Sequence, residues 1–488
     1  RDLHSFPTRR SSDLLQGLKN NPGMDGAQLG KLIVSSYINE DKRIVDDQAR
    51  LDFLRQGSPL NSLFGTQDID PAQLSRQIDK STTLTTADMD NMPELIESIN
   101  QLAYVLQSEN PTVIARARTY AQSFTNIFGK DVSPSYIDLA NFAQLLEKES
   151  SSSTVRSAAQ DVIAQVKQTV IAEKHGSEKP GASGISIYFP NAQLYRNALA
   201  GASSYTQAAN RFAADSLWDD FLAFYYTRAS FQFESGNAVA PGANARSVLP
   251  GLGQIDVSDL QLSTTIADYD QPITLQAVLQ GTNIGYVYLF VGYYDPGSDS
   301  ILVADKDFLA SPKTRQAGDL YYPRWSDNES FNLKYAWTPS VFTLSDGKTS
   351  AVALLEPLQY GVSAQEAVYS SDGIYTNADT GESRYARLYF SNGKLQRMYT
   401  FVGLQPTGAM SETIPQSGDQ FTLIQTWLEP DGSGNYSATT ENGQTLTFGN
   451  KSLIWEEKYA ASGDYILGFI VSDLEGNEKQ TFGKVTIR

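Results

Sequence analysis

The sequence contains no cysteine among its 488 residues and only two histidines, His4 and His175. The absence of a thiol excludes disulfide bonds, thiolate metal ligands and a cysteine nucleophile from these residues. The two histidines are far apart in the sequence, so they form no H-E-x-x-H zinc motif. We therefore assign no catalytic residue and no metal ligand to the sequence, and the residues that would bind a substrate stay unknown.

Long hydrophobic runs and basic clusters are lacking as well. The nearest approach to a membrane helix, Tyr286 to Tyr294, is interrupted by Gly292 and is far shorter than the roughly 18 residues required. The formal net charge of −17 repels phosphate backbones, and no lysine–arginine cluster interleaves with aromatic residues. We expect neither a membrane span nor a nucleic-acid partner. Phosphate-binding loops and the G-x-S-x-G elbow are also absent from the sequence.

The first fourteen residues differ in character from the rest. Residues 1–14 (RDLHSFPTRRSSDL) show no apolar periodicity, and Arg9 and Arg10 stand together in an otherwise acidic protein. The string resembles the translated read-through of a sequencing adapter. We interpret residues 1–14 as an artefact and expect a reading frame that is truncated on its 5′ side and has lost its signal peptide.

Helical patterns dominate the chain from residue 15 to residue 229. Asp25 followed by Gln28 is the pattern of a capping box at the start of a helix. Spacing of apolar residues further predicts four helices and one strand, namely helices at 93–106, 137–146, 155–170 and 218–226 and a strand at Gly184–Pro190. A helix that leads into a strand indicates an α/β layer.

After a linker at 230–271, which is rich in glycine and proline, the period of the pattern changes from 3.6 to 2. Turn pairs between aromatic or β-branched segments predict hairpins at Asp346-Gly347, Asp372-Gly373, Asn392-Gly393, Asp431-Gly432 and Asn442-Gly443. The alternating segments 465–471 and 482–487 resemble the last hairpin of an immunoglobulin-like sandwich.

The fold class predicted from these patterns is multidomain, with a truncated α/β segment followed by all-β modules. A chain of this length normally builds more than one core. The predicted segments are 1–14 (artefact), 15–229 (α/β), 230–271 (linker), 272–400 (β-rich module) and 401–488 (immunoglobulin-like β-sandwich).

Five stretches of the first half, in this order, resemble the clostripain family of peptidases (family C11). They are 21–33, 81–89, Tyr136–Leu139, Gly184–Pro190 and Trp218–Phe221. The order of the stretches across residues 15–229 carries the resemblance more than any one of them does. Gly184–Pro190 is the most diagnostic. The match covers only the carboxy-terminal half of the family's peptidase domain.

The resemblance implies a caspase-like fold, in which helices flank a mostly parallel sheet, and a secreted bacterial endopeptidase that cuts after basic residues. In the family a histidine and a cysteine do the chemistry, and both precede the stretch that matches Pro22. A peptidase of this class needs a thiolate nucleophile activated by an imidazole. The implied function is thus a fragment of an extracellular or cell-surface cysteine endopeptidase, inactive as given, whose intact product acts on protein or peptide substrates.

The alternative interpretation is a non-enzymatic extracellular binding or adhesion protein. In that case the peptidase half is a degenerate scaffold, and the β modules bind a surface or a carbohydrate. Tryptophans in the β region would suit stacking against sugars, but strand-borne tryptophans more often fill a sandwich core, which is the interpretation we favour. These residues are Trp325, Trp337, Trp427 and Trp455.

Other chemistries remain weaker candidates. Asp372, Asn377, Asp379 and Glu382 offer oxygen ligands for calcium, but their spacing is not that of an EF-hand loop, so a polar turn is favoured. His175 is expected in a solvated turn rather than as a general base. Paired carboxylates for glycoside hydrolysis are not excluded, because the 55 acidic residues leave many pairs. No further cofactor is expected.

Overall fold

The chain is organised into two units, as defined by a computed structural model. The described residues are 17–36, 83–124, 135–176, 179–197, 201–233, 249–325, 330–361, 368–391, 393–401, 403–404, 410–430, 436–449 and 452–488. Within them, unit 1 comprises the chain up to Leu252 together with Gln316–Tyr322, and unit 2 comprises Gly253–Arg315 and Pro323–Arg488. The change of unit at Leu252 falls inside the predicted linker, and residues 1–14 lie outside the described ranges.

Unit 1 is mainly helical, and the four predicted helices are present as α2, α4, α5 and α9. Its elements are α1 Gly26–Ser36, β1 Thr83–Ala87, α2 Met92–Val105, α3 Pro111–Tyr120, β2 Tyr136–Asp138, α4 Leu139–Glu149, α5 Ser153–Thr169, β3 Val170–His175, β4 Ser186–Tyr188, α6 Ala192–Tyr195, α7 Ala202–Ala208, α8 Asn210–Asp215 and α9 Trp218–Thr227. The capping box is confirmed, because the Asp25 nitrogen donates to Gln28 Oε1 and the Gln28 nitrogen donates to Asp25 Oδ1.

Strands β1 to β4 of unit 1 form two antiparallel pairs. The predicted strand at Gly184–Pro190 is confirmed as β4, which pairs with β2. Strand β3 pairs with β1, so the turn predicted around His175 is wrong, since His175 ends a strand. Helix α5 stops one residue before Val170, and the β-branched Val170 and Ile171 continue in the extended form that suits them. The coarse prediction of a mixed α/β unit is confirmed.

An aromatic cluster forms the centre of unit 1. Phe189, which is fully buried at the end of β4, makes edge-to-face contacts with Phe142, Trp218, Phe221 and Tyr225 at centroid distances between 5.2 and 5.7 Å. Such pairs contribute about 0.5–1.5 kcal/mol each beyond their buried area. Phe189, which follows β4 and precedes Pro190, therefore packs against the helices that cover this strand.

Strands make up the chain from residue 256 onward. They are β5 Asp256–Val257, β6 Gln261–Leu262, β7 Ile266–Ala267, β8 Ile273–Gln280, β9 Ile284–Asp295, β10 Ser300–Phe308, β11 Arg315–Ala317, β12 Leu320–Tyr322, β13 Ser330–Trp337, β14 Ser340–Ser345, β15 Ser350–Val352, β16 Glu356–Pro357, β17 Val368–Thr376, β18 Ser383–Ser391, β19 Lys394–Phe401, β20 Met410–Thr413, β21 Gln420–Pro430, β22 Tyr436–Thr447, β23 Ile454–Tyr459, β24 Gly463–Asp473 and β25 Glu478–Ile487. The large, mostly β carboxy-terminal part is as predicted.

Unit 2 contains one large sheet and one small sheet. The path of the large sheet runs β15-β14-β23-β19-β18-β17-β21-β10-β9-β24-β25-β7, and the small sheet has the order β13-β8-β5 with β6 also on β8. Inward side chains of β8 and β13 join those of β9, β24 and β25 in one core cluster. A second cluster is built from β14, β17–β19 and β21–β22. Alternating apolar residues thus face a core and polar residues face outward.

The hairpin predictions divide into confirmed and wrong ones. Gly393 has a φ of +69° between the paired strands β18 and β19, and Asp346-Gly347 turns between β14 and β15, so both are confirmed. The final hairpin, β24 with β25, is also confirmed. Asn392 and the pair Asp431-Gly432 lie outside the described residues.

The other two predicted turns are wrong, because both pairs lie inside strands. Asp372-Gly373 is in β17 and Asn442-Gly443 is in β22. A Cβ atom on Gly373 would stand 2.2 Å from Phe421 Cζ, so the glycine there allows a neighbouring ring to approach the backbone.

Strand pairing crosses the boundary predicted after residue 400. β24 pairs with β9 from Asp464↔Tyr294 to Asp473↔Ile284, and β23 pairs with β14. The segments 272–400 and 401–488 therefore share one sheet.

Candidate functional site

The stretches that carry the peptidase resemblance lie together in unit 1. Ile137 of β2 is opposite Ile187 of β4, and the indole nitrogen of Trp218 donates to the carbonyl oxygen of Tyr188 at 2.7 Å. The hydroxyl of Thr86 donates to the carbonyl oxygen of Gly30 at 3.3 Å. Segments that are far apart in sequence thus meet through specific polar contacts.

Asp138 is the polar centre of this region. It is fully buried and accepts bonds from the backbone nitrogen of Asn141, the backbone nitrogen of Ser183 and the hydroxyl of Ser183. Burial raises the pKa of Asp138, while the donated bonds oppose that rise. The carboxylate caps α4 and fixes the loop before β4, which is a structural role.

Asn141 and Gln122 extend this network. Asn141 Oδ1 accepts from the backbone nitrogen of Gln122 at 2.8 Å, and Asn141 Nδ2 donates to the carbonyl oxygen of Ala317 at 2.8 Å. Gln122 Oε1 accepts from the backbone nitrogen of Gly181. Because each buried polar group here has a partner, the network holds its loops in one conformation.

The side chain that binds His175 is a carboxylate. The Nδ1 atom of His175 lies 2.7 Å from Glu173 Oε1, two residues earlier on β3. The hydrogen bond to Glu173 raises the pKa of His175 above its usual value, and burial opposes the rise. The neighbouring carboxylate stabilises the charged form of the imidazole.

The calcium candidates are engaged in other ways. Asp372 accepts two bonds from Arg387, with Arg387 Nε 2.6 Å from Asp372 Oδ1. Asn377 Oδ1 accepts from the backbone nitrogens of Asp379 and Thr380, which is the pattern of a polar turn. Glu382 binds Arg384. Asp372 belongs to the interior of β17 rather than to this turn.

Two of the four tryptophans lie in a core, and the other two are half-buried. Trp325 and Trp337 belong to the core cluster of the small sheet, at 5% and 4% exposure. Trp455 is partly buried against the second cluster, and Trp427 is half-buried in β21. The preference for core packing is confirmed for Trp325 and Trp337.

Unit 2 contains an acid pair whose location the sequence did not reveal. Strand β10 has one extra residue, Ala304, since Val303 is opposite Gly292 whereas Asp305 is opposite Val291. This β-bulge reverses the facing of the residues that follow it. Asp305 and Asp307 therefore face the same side as Val291 and Leu289, which belong to a core cluster.

The surroundings of the pair are acidic and aromatic. Burial raises the pKa of Asp305 well above its usual range and the nearby charges of Asp307 and Glu457 raise it further, while a hydrogen bond from the backbone nitrogen of Lys306 opposes the rise. Burial also raises the pKa of Asp307, which accepts a hydrogen bond from the Tyr369 hydroxyl. Tyr335 lies close enough for its pKa to be raised by burial and by the charges of the same acids. Carboxyls of this kind can hold protons or bind a cation.

Within the described ranges no group of three or more histidine, cysteine, aspartate or glutamate side chains is arranged to hold a metal ion. None of the helices in those ranges has the length and apolar character needed to cross a membrane. No family model matches the chain, and no curated protein matches it significantly.

Proposed function

We propose that unit 1 is the carboxy-terminal half of a clostripain-like, caspase-fold peptidase domain from a secreted bacterial protein. The strands of unit 2 form its accessory modules, in part immunoglobulin-like. The intact product cleaves peptide bonds after basic residues, and the chain as given is inactive as a peptidase, because the reaction needs a thiolate that no residue supplies.

The observation that supports this proposal is the assembly of the resembling stretches. Tyr136–Leu139 and Gly184–Pro190 pair as β2 and β4, and Trp218 is bonded to Tyr188. A resemblance that arose by chance would have no reason to select segments that contact one another. The Asp138 network, which has no free nucleophile or base, suits the structural half of such a domain rather than its catalytic half.

A sequence determination tests the proposal directly. The coding DNA upstream of Leu15 is read from the source genome. We expect one continuous frame that encodes a histidine and then a cysteine before the stretch at Pro22. A native start codon in place of such a frame would overturn the proposal.

Activity of the chain is tested separately. The purified chain is incubated with arginyl and lysyl peptide substrates, with and without a thiol-directed inhibitor. We expect no hydrolysis in either case. Hydrolysis that the inhibitor abolishes would contradict the absence of the nucleophile from these residues.

The second candidate is an extracellular binding protein with a degenerate peptidase scaffold. It is favoured by the partial burial of Trp427, since a tryptophan outside a closed core is available for stacking. A native start codon near Leu15, together with saturable binding of an oligosaccharide that Trp427→Ala abolishes, would establish this candidate in place of the first.

A further inference from the structure

Asp305 presents a buried oxygen without a partner. The residue is 7% exposed, and among the described residues no donor lies within hydrogen-bond distance of its Oδ1 atom. Leaving a buried polar atom unbonded destabilises the folded protein, and a charged group does so more strongly. An atom of this kind is a candidate contact for a ligand.

The second acid lies beside the first. Asp305 and Asp307 are two residues apart on one face of β10, roughly 7 Å along the strand. Asp307 has two donors, the backbone nitrogen of Phe308 at 2.7 Å and the hydroxyl of Tyr369. Glu457 is exposed and accepts a bond from the hydroxyl of Ser340. The three carboxylates thus range from the exposed Glu457 to the buried Asp305.

The charges acting on Asp305 come from acids, Asp307 and Glu457. Lys306 of β10 itself and Lys458 of β23 are engaged elsewhere. Lys306 alternates to the opposite face of β10, where it binds Glu478 and lies 4.7 Å from the ring centroid of Tyr288. Lys458 binds Glu456 at 3.1 Å. The pair is therefore a concentration of acidic groups, and the lysines named here form ion pairs with other carboxylates.

Aromatic rings border the acids. Tyr335 is 37% exposed and lies within the electrostatic reach of both aspartates. Tyr369, which is bonded to Asp307, has its ring 4.9 Å from that of Trp455. The face of an aromatic ring attracts a cation, and more strongly where water is excluded. Carboxylates and aromatic rings together are the chemistry that recognises an organic cation.

We propose that the pair Asp305 and Asp307, bordered by Tyr335 and Tyr369, binds an alkylammonium group. The group belongs to a lysine side chain of a peptide or to a free primary amine. An ammonium has three donors, which match Asp305 Oδ1, an oxygen of Asp307 and a tyrosine hydroxyl oxygen. Two close carboxylates fall short of the six to eight oxygens that calcium takes. The proposal is independent of the peptidase resemblance.

Binding is coupled to protons in a defined direction. Burial raises the pKa of both aspartates, so the free pair retains protons at a pH where ordinary carboxyls have lost them. A bound cation favours the ionised carboxylates. Affinity should therefore rise with pH until both groups are ionised, and binding should release protons where they are not.

The test is calorimetric titration of the full chain with n-butylammonium chloride from pH 5 to pH 8.5, at constant ionic strength. Buffers of different ionisation enthalpy report the protons released. We expect saturable binding to one site, tighter at higher pH. Asp305→Asn and Asp307→Asn should each weaken it by roughly tenfold or more. Asp379→Asn, which removes an exposed acid from a turn, is the matched control and should bind as the parent chain does.

Comparison ligands separate the possible occupants. N-acetyl-lysine methylamide that binds more tightly than n-butylammonium identifies a peptide as the source, and equal affinity identifies a free amine. Binding of n-butanol or of a neutral oligosaccharide that the two aspartate variants also lose would overturn the proposal in favour of a neutral ligand. Calcium binding that displaces the amine would overturn it in favour of a metal. Unchanged affinity in both variants, with native hydrogen exchange, would show that the ammonium binds elsewhere.

Discussion

Two buried aspartates, one in each unit, are treated differently by the fold. Asp138 in unit 1 accepts three hydrogen bonds from Asn141 and Ser183. Asp305 in unit 2 has an oxygen that no described donor reaches, and its nearest charges are negative. Burial raises the pKa of both carboxyls, so the difference lies in the partners rather than in depth.

The comparison shows how to separate a structural acid from a candidate binding acid. A carboxylate whose donors all come from its own loop and helix holds those elements together. A carboxylate placed next to another acid, without a donor for each oxygen, makes the free protein less stable than an uncharged side chain would. Removal of the first kind of carboxylate should destabilise the protein, and removal of the second kind should stabilise it.

The largest effect is expected for a third acid, Asp372, which is buried with its cation. Arg387 and Asp372 are only 11% and 12% exposed as side chains and form a two-point contact. Arg387→Met removes the guanidinium from Asp372, which still accepts a bond from the Tyr385 hydroxyl, and breaking such a buried ion pair costs about 3–5 kcal/mol. Urea unfolding of unit 2, followed by hydrogen exchange of β17 and β18 peptides, measures the loss.

The control for this change is a pair of the same type on the surface. Arg384→Met breaks the contact with Glu382, whose side chain is 53% exposed, and should cost less than about 1 kcal/mol. Adding Asp372→Asn to Arg387→Met should recover part of the stability, because no unpaired charge then stays buried. Equal losses in the two single variants would show that burial of the pair is unimportant.

Removal of Asp138 should rank second. Asp138→Ala takes the acceptor from three donors at once and removes the cap of α4, for a loss of about 3 kcal/mol in the stability of unit 1. Exchange of β2, β4 and α4 peptides should accelerate together. Asp161→Ala, at an exposed position of α5, is the matched control. A loss no greater than that of the control would mean that Asp138 is not structural.

The opposite sign is expected for Asp305→Asn, which should stabilise unit 2 by about 1 kcal/mol at neutral pH. The folded pKa of Asp305 is raised above its value of 3.8 in the unfolded chain. Its contribution to stability is therefore fully present below pH 3.8 and is lost as the pH rises through the folded pKa. The variant and the parent should unfold alike near pH 3.8 and diverge at higher pH, as thermal unfolding across pH would record. A variant that is less stable than the parent at pH 8 would show that Asp305 is a structural acid, as Asp138 is.

Much of the fold could be predicted from the sequence. The different surroundings of Asp138 and Asp305 could not. Apolar spacing locates α2, α5 and β4, because periodicity follows directly from which side is buried. Asp138 stood beside a predicted helix start, and its partner Ser183 lay 45 residues away, which is a relation that only the fold creates.

The acid pair escaped prediction for a different reason. Without the bulge, Ala304 would oppose Val291, and Asp305 would oppose Phe290 and face the other side of the sheet. A single inserted residue leaves almost no pattern in a short strand, yet it reverses every side chain that follows. The turns expected at Asp372 and Asn442 failed because Asp-Gly and Asn-Gly also occur within strands, where glycine lets a neighbouring side chain approach, as Phe421 does at Gly373.

The smallest effect is expected at His175, which extends the comparison to a cation paired with an acid near the surface. The bond to Glu173 raises the pKa of His175 above 6.5. Its stabilisation is therefore complete below pH 6.5 and is lost as the pH rises through the folded pKa. The two side chains are 25% and 21% exposed, so His175→Gln should cost about 0.2–1 kcal/mol at pH 5.5 and nothing at pH 9. Thermal unfolding at the two pH values measures the difference, with Glu173→Gln as the matched partner variant. A loss that is the same at both pH values would show that His175 contributes by packing rather than by charge.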